Sequence, residues 1–266
     1  MDRVVDHLSD EAPDLERRFG GLKRLYGDAG YARIRAARFA IVGVGGVGSW
    51  CAEALARSGV AHLVLIDLDH VSESNINRQI QATSATIGQA KVQALRERIA
   101  AIHPGCDVVC IEEFVDADNW PALLARPVDA VIDACDQVRA KAVIAAWALS
   151  TRITLVIAGA AGGKRQPHAV QVEDLGLVTH DPLLASLRQR LRKQHGAARS
   201  GKIGVRCVFS KEAMVAPSEV CAVEEGVAAS SDSSLNCHGY GSSVGVTATF
   251  GMVAASLALE SAAAQK

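Results

Sequence analysis

Apolar positions along the chain alternate between short continuous runs and helically spaced stripes. Runs at 39–43, 62–67, 107–111, 129–133 and 153–158 predict strands. Stretches such as Ala130-Val131-Ile132 and Leu155-Val156-Ile157 have no polar interruption, as expected of a parallel sheet covered on both faces. Between the runs, helices are predicted at 46–58, 88–102, 118–125 and 138–150. The first of these puts Val47, Cys51, Ala54 and Leu55 on one face, as a crossover helix requires. A helical region over roughly 10–38, interrupted by Gly20-Gly21, precedes the first strand. The pattern predicts a doubly wound, Rossmann-like α/β fold with helices on both faces of a mostly parallel sheet. Its ligand crevice should lie beyond the strands' C-terminal ends.

After Gly159 the alternation weakens. Residues 168–172 alternate like a half-buried strand, 182–195 form a basic helix, 206–209 a short strand and 211–243 a long loop. The expected organisation is a single domain over 1–266, with a core at about 38–160 and an extension over 161–266 that includes antiparallel pairing. Residues 239–259 carry no formal charge, and Val246, Phe250, Val253 and Leu257 recur at helical spacing. The reading adopted is an amphipathic helix packed on the sheet or on a second subunit. Its first third, around Gly239-Tyr240-Gly241-Ser242-Ser243, is too polar for a membrane span, so membrane association is not expected.

Composition narrows the class. An apolar fraction of 49% implies a sizeable core and leaves apolar surface for a subunit interface. A net charge of −1 excludes a globally basic nucleic-acid binder, and no DNA partner is expected, but a local basic patch remains open. Such a patch exists at 188–206: Arg188, Arg190, Arg192, Lys193, Arg199, Lys202 and Arg206 occur there without one acid. Residues 1–18 lack the apolar stretch of a secretory signal, and the odd number of seven cysteines, without framework spacing, fits reduced thiols. A cytoplasmic location is the expectation.

The candidate chemistry begins at Gly43-Val44-Gly45-Gly46-Val47-Gly48, between a predicted strand and a predicted helix. Glycines there allow a tight turn and close approach to phosphates, which the helix N-terminus attracts. Asp67 ends the second strand. Gly43, Gly45, Gly48 and that acid would suit an NAD enzyme equally well.

The residues that follow favour ATP. They are Asp67-Leu68-Asp69-His70, Asn75-Ile76-Asn77-Arg78-Gln79, Gly88-Gln89-Ala90-Lys91 and Asp133-Ala134-Cys135-Asp136. As an ordered set over roughly 17–160, with the glycine loop, they resemble the adenylate-forming ThiF/MoeB superfamily, relatives of the ubiquitin-activating enzymes. The resemblance implies an ATP site built from Gly43, Gly45, Gly46, Gly48, Asp67, Asp69, Asn75, Arg78, Gln79 and Lys91. Within it Asp67 would bind the ribose, Arg78 and Lys91 the phosphates, and Asp136 a Mg²⁺ ion, with Arg78, Lys91 and Asp136 as the catalytic set. An N-terminal arginine is also implied; Arg18 and Arg24 both lie near its position. Read singly, Asp67 could cap a turn, Lys91 could be a solvated helix residue and Asp133 a structural one.

Cysteine spacing separates the branches. Cysteines 51, 106, 110, 135, 207, 221 and 237 contain no CxxC pair, which counts against the zinc-bearing activators of sulfur carriers. The segments Arg18-Phe19-Gly20-Gly21, Gly159-Ala160-Ala161-Gly162-Gly163, Gly204-Val205-Arg206-Cys207 and Val246-Thr247-Ala248-Thr249-Phe250-Gly251 resemble the tRNA threonylcarbamoyladenosine dehydratases. That branch implies ATP-dependent cyclisation of the modified adenosine next to the anticodon, a tRNA substrate contacted by the basic stripe, and a homodimer. It also raises a sulfur-relay partner of the cysteine desulfurase type, for which Cys237 in Asn236-Cys237-His238-Gly239 is the candidate thiol. Adenylation of a sulfur-carrier protein, an NAD-dependent oxidoreductase and a non-catalytic nucleotide-binding scaffold are the rival readings.

Overall fold

A computed structural model of the chain describes residues 12–215 and 240–264. Seven strands form one sheet: β1 Arg38–Val42, β2 His62–Ile66, β3 Asp107–Ile111, β4 Ala130–Asp133, β5 Thr154–Ala158, β6 Val170–Asp174 and β7 Arg206–Ser210. Their order is β3-β2-β1-β4-β5-β7-β6. All neighbours pair in parallel except β6, which runs antiparallel to β7 at one edge. The order reverses between β1 and β4, and a crevice opens at such a switch point.

Strand residues alternate between two apolar layers. Phe39, Ile41, Leu63, Leu65 and Ile132 face helices α2 Lys23–Ala36, α3 Gly48–Arg57, α4 Lys91–Ile102 and α7 Val244–Ala264. Ala40, Val42, Val64, Ile66 and Val131 face α5 Val138–Thr151 and α6 Pro182–Gln194. A short helix, α1 Leu15–Phe19, leads into α2 through a 3₁₀ turn at Gly20–Leu22, where the sequence breaks at Gly20-Gly21.

Three expectations are corrected. Residues 118–125 form turns rather than a helix. The Asp116 carboxylate takes the N–H groups of Asp118 and Asn119 at 2.9 and 3.0 Å, as an N-cap does, but Pro121 has no N–H to continue the ladder and its ring crowds the carbonyl four residues back, so the first turn does not grow into a helix. Helix α4 begins at Lys91 instead of 88. Gly88 has φ 86°, and residues 88–91 are drawn into backbone pairing with 69–71, in which the Lys91 N–H donates to the Asp69 carbonyl at 3.0 Å.

The third correction concerns α7, which is apolar around most of its circumference rather than clearly amphipathic. Its buried stripe runs through Val246, Phe250, Ala254, Ala258 and Ala262, while Val253 and Leu257 are only half-buried. Val244–Ala264 is long and apolar enough to cross a bilayer, yet half of its length is buried against the domain's own elements. It packs on α3, α2 and β5. Contact with α3 is close: a Cβ on Gly251 would stand 2.5 Å from the Val47 carbonyl.

Candidate active site

The glycine loop leaves β1 at Gly43, whose φ is 81° and whose N–H donates to the Ile66 carbonyl at 2.8 Å. A Cβ at Gly43 would meet the Cys135 amide nitrogen at 2.8 Å, so glycine lets the ends of β1 and β4 touch. Gly48, the first residue of α3, lies against the Gly43 carbonyl and closes the turn rather than lining the crevice. Gly45 and Gly46 face the open side.

Asp67 ties this loop to the end of β2. One carboxylate oxygen accepts the Val44 N–H at 2.8 Å and the other the Asp69 N–H at 2.9 Å. Burial pushes its pKa above the ordinary value, against the pull of Lys91 and the two N–H donors. Asp69 in turn holds Lys91, whose Nζ stands 2.6 Å from its carboxylate. The late start of α4 is what brings Lys91 to this point, buried on the crevice wall.

Arg78 arrives on the turn-rich crossover between β2 and α4. Its Nη1 donates to the Ser74 carbonyl at 2.7 Å and to Asn77 Oδ1 at 2.9 Å, and Trp50 Nε1 on α3 donates to its carbonyl at 2.9 Å. Burial lowers the Arg78 pKa from its usual height, and the guanidinium stays charged at any physiological pH. Gln79 is buried beside it. Asn75 does something different: its Oδ1 accepts the Ser72 N–H at 3.1 Å in a capping box that shapes this crossover. It borders an adjoining polar pocket that shares Asp69, Arg78, Gln79 and Lys91 with the main crevice.

One crevice at the strands' C-terminal ends is therefore lined by Gly43, Gly45, Gly46, Asp67, Asp69, Arg78, Gln79, Lys91 and Asp136. Asp136 lies on the turn after β4, half-buried. Sequence reasoning missed other lining groups: the Glu113-Phe114-Val115 strip, Gln137, Tyr240 and Thr247. Their common signal is position, since several follow a strand's C-terminal end. Gly159 and Gly162 also line it; the strip they begin is held by Asp181, whose carboxylate accepts the Ala160 N–H at 2.8 Å.

The ThiF family profile matches residues 17–264. The chain belongs to the ThiF family. It is 44% identical over 250 residues to the tRNA threonylcarbamoyladenosine dehydratase of Escherichia coli strain K12, covering 92% of each chain. It is 40% identical over 250 residues to the dehydratase of the same name from Haemophilus influenzae, covering 93% of this chain and 94% of the relative. Its fold matches the crystal structure of the E. coli dehydratase TcdA in complex with ATP. The TM-score is 0.82 at 42% identity, over 93% of this chain and 94% of that one.

Within this ThiF-family fold, neither N-terminal arginine candidate lines the crevice of its own chain. Arg18 Nη1 donates to the Ile102 carbonyl at 2.7 Å, and Arg24 is exposed on α2. Cys51 and Cys207 are buried packing residues, and burial pushes both thiols far up. Cys110 is pushed up to about 11. Cys135 borders the crevice, also with a raised pKa, through burial and then the neighbouring Asp133. Cys221 and Cys237 lie outside the described residues.

The basic stripe divides. Arg188 donates to the Leu175 and Val178 carbonyls at 3.1 and 2.8 Å, and Arg192 to the Ala198 carbonyl at 2.9 Å. Lys193, Arg199, Lys202 and Arg206 are exposed.

Proposed function

We propose that this chain uses ATP to dehydrate threonylcarbamoyladenosine in tRNA to its cyclic form, by adenylating the free carboxylate of the modified base. The observation that carries the reading is the single crevice shared by the glycine loop, Asp67, Arg78, Lys91 and Asp136. A dinucleotide site needs the first two features; cations and an acid gathered at its phosphate end fit attack on phosphorus.

In the first step a carboxylate oxygen of the substrate attacks the α-phosphorus of ATP, and the bond to pyrophosphate breaks. Arg78 and Lys91 balance the charge that gathers on the phosphate oxygens. Asp67, in its ionised form, accepts hydrogen bonds from the ribose hydroxyls. The mixed anhydride then meets the carbamoyl group of its own side chain. That group attacks the acyl carbon, loses a proton to solvent, and AMP departs with the bonding pair. Water's oxygen leaves within AMP, so the product is one water lighter. Because the nucleophile is tethered, effective molarity on the order of 10⁵ M makes an enzyme nucleophile unnecessary.

Among the described residues no group of three or more His, Cys, Asp or Glu side chains forms a metal cage. Mg²⁺ does not need one, since it keeps waters and takes phosphate oxygens, so Asp136 alone fits as its protein ligand. When bound, the ion would neutralise phosphate charge during the first step. Lys193, Arg199, Lys202 and Arg206 would meet tRNA phosphates. A homodimer is proposed on the exposed apolar surface that α7 leaves at Val244 and Met252, and sedimentation as a monomer would overturn it. A cytoplasmic site of action follows from the tRNA substrate.

The test is direct. Protein, ATP and Mg²⁺ are incubated with tRNA bearing the linear modification, and the nucleoside is weighed after mild digestion. ATP-dependent loss of one water is expected; an unchanged nucleoside with folded, ATP-binding protein sinks the proposal.

A further inference from the structure

The ion pair between Lys141 and Asp133 has no part in the chemistry above, and both side chains are fully buried. Lys141 stands in the first turn of α5, so its ammonium loses hydration and also faces the positive end of a helix dipole. Burial works hardest against the charge, but Asp133 together with Cys135 and Cys207 outweighs it and holds the Lys141 pKa above its ordinary value. Apolar replacements for such pairs are commonly neutral or stabilising, so stability does not explain this one.

Its connections do. Lys141 Nζ donates to Asp133 Oδ1 at 3.1 Å, to the Asp133 carbonyl at 3.3 Å and to the Ala158 carbonyl at 3.0 Å. Three donors meet three acceptors. The two carbonyls are the last of β4 and of β5. Asp133 Oδ1 also accepts the Cys135 N–H at 3.1 Å, fixing the turn that packs on Gly43 and carries Asp136. Beyond Ala158 runs the strip of residues 159–162, which lines the same crevice. One ammonium thus joins the roots of two neighbouring segments that both line the crevice.

We propose that Lys141 and Asp133 are a positioning pair that sets the turn presenting Asp136 and its spacing from the 159–162 strip. The inference rests on the crevice being the ATP site proposed above. Neither residue lines the crevice, so neither is assigned a contact with substrate.

The experiment compares the parent with D133N/K141M, which removes both charges and keeps an acceptor for the Cys135 N–H. Lys141→Met alone leaves a buried carboxylate unpaired and serves only as the destabilised reference. The double variant should melt within about 4 °C of the parent. Its kcat for dehydration should fall on the order of 10²-fold. Its Kd for ATP, measured by calorimetry without tRNA, should rise about tenfold. A folded double variant with unchanged kcat and Kd overturns the proposal. So does one that fails to fold, because the pair would then be a folding requirement. A parent that binds ATP but does not dehydrate tRNA would defeat the proposed function, while the Kd comparison would still judge the pair.

Discussion

Asp67 shows how one residue is given two tasks. Its carboxylate fastens the glycine loop to β2 through two N–H groups, and it remains on the crevice wall. Burial raises its pKa above the ordinary 3.8, so on acidification it takes up a proton at a higher pH than an exposed aspartate would. Only the ionised form presents acceptors alone to the ribose. ATP affinity is therefore expected to fall as pH drops through that raised value, and Asp67→Asn should bind weakly but without this acid dependence. Calorimetric titrations across the acid range check both; a parent affinity independent of pH there would remove Asp67 from the ribose. Asp67, Arg78 and Lys91 were legible because the charges sit in a rigid order along the chain. Asp69 was legible as a site residue, while its grip on Lys91 was not, since that contact depends on where α4 starts.

At the scale of elements, strand positions followed from apolar runs because burial on both faces leaves no room for polar residues. Helix 118–125 failed because a periodicity count overlooks Pro121, which cannot donate to the ladder that Asp116 caps. The approach of α7 to α3 was equally hidden. Gly251 looks like a weak point in a helix, yet a Cβ there would meet the Val47 carbonyl at 2.5 Å and the Cys51 amide nitrogen at 2.8 Å. Gly251→Ala should gain helix propensity and still lose about 1–3 kcal/mol of stability through overpacking, measured by denaturant unfolding. A more stable variant would show that α7 can back away from α3.

On the scale of the whole molecule, a protein of net charge −1 must bind tRNA through a local surface. Lys193→Gln with Lys202→Gln should lower the slope of log affinity against log salt by about one per lysine, read from filter binding at several salt concentrations. Arg188→Ala should leave that slope unchanged and lower stability, because its guanidinium is spent on two internal carbonyls. An unaltered slope in the lysine variant would take this surface out of the RNA interface.

By itself the sequence determined the alternating α/β order, the place of the glycine turn and the identity of the charged groups that the fold gathers in one crevice. These are local or ordered properties, set by hydrophobic period, glycine's backbone freedom and residue type. The tertiary structure decided which of the basic residues face solvent, that Asn75 shapes a turn, that Gly48 closes one, and that Lys141 links β4 to β5 beneath the crevice. Each of those depends on what lies across from a residue in space, and strand order and helix starts fix that only once the chain has packed.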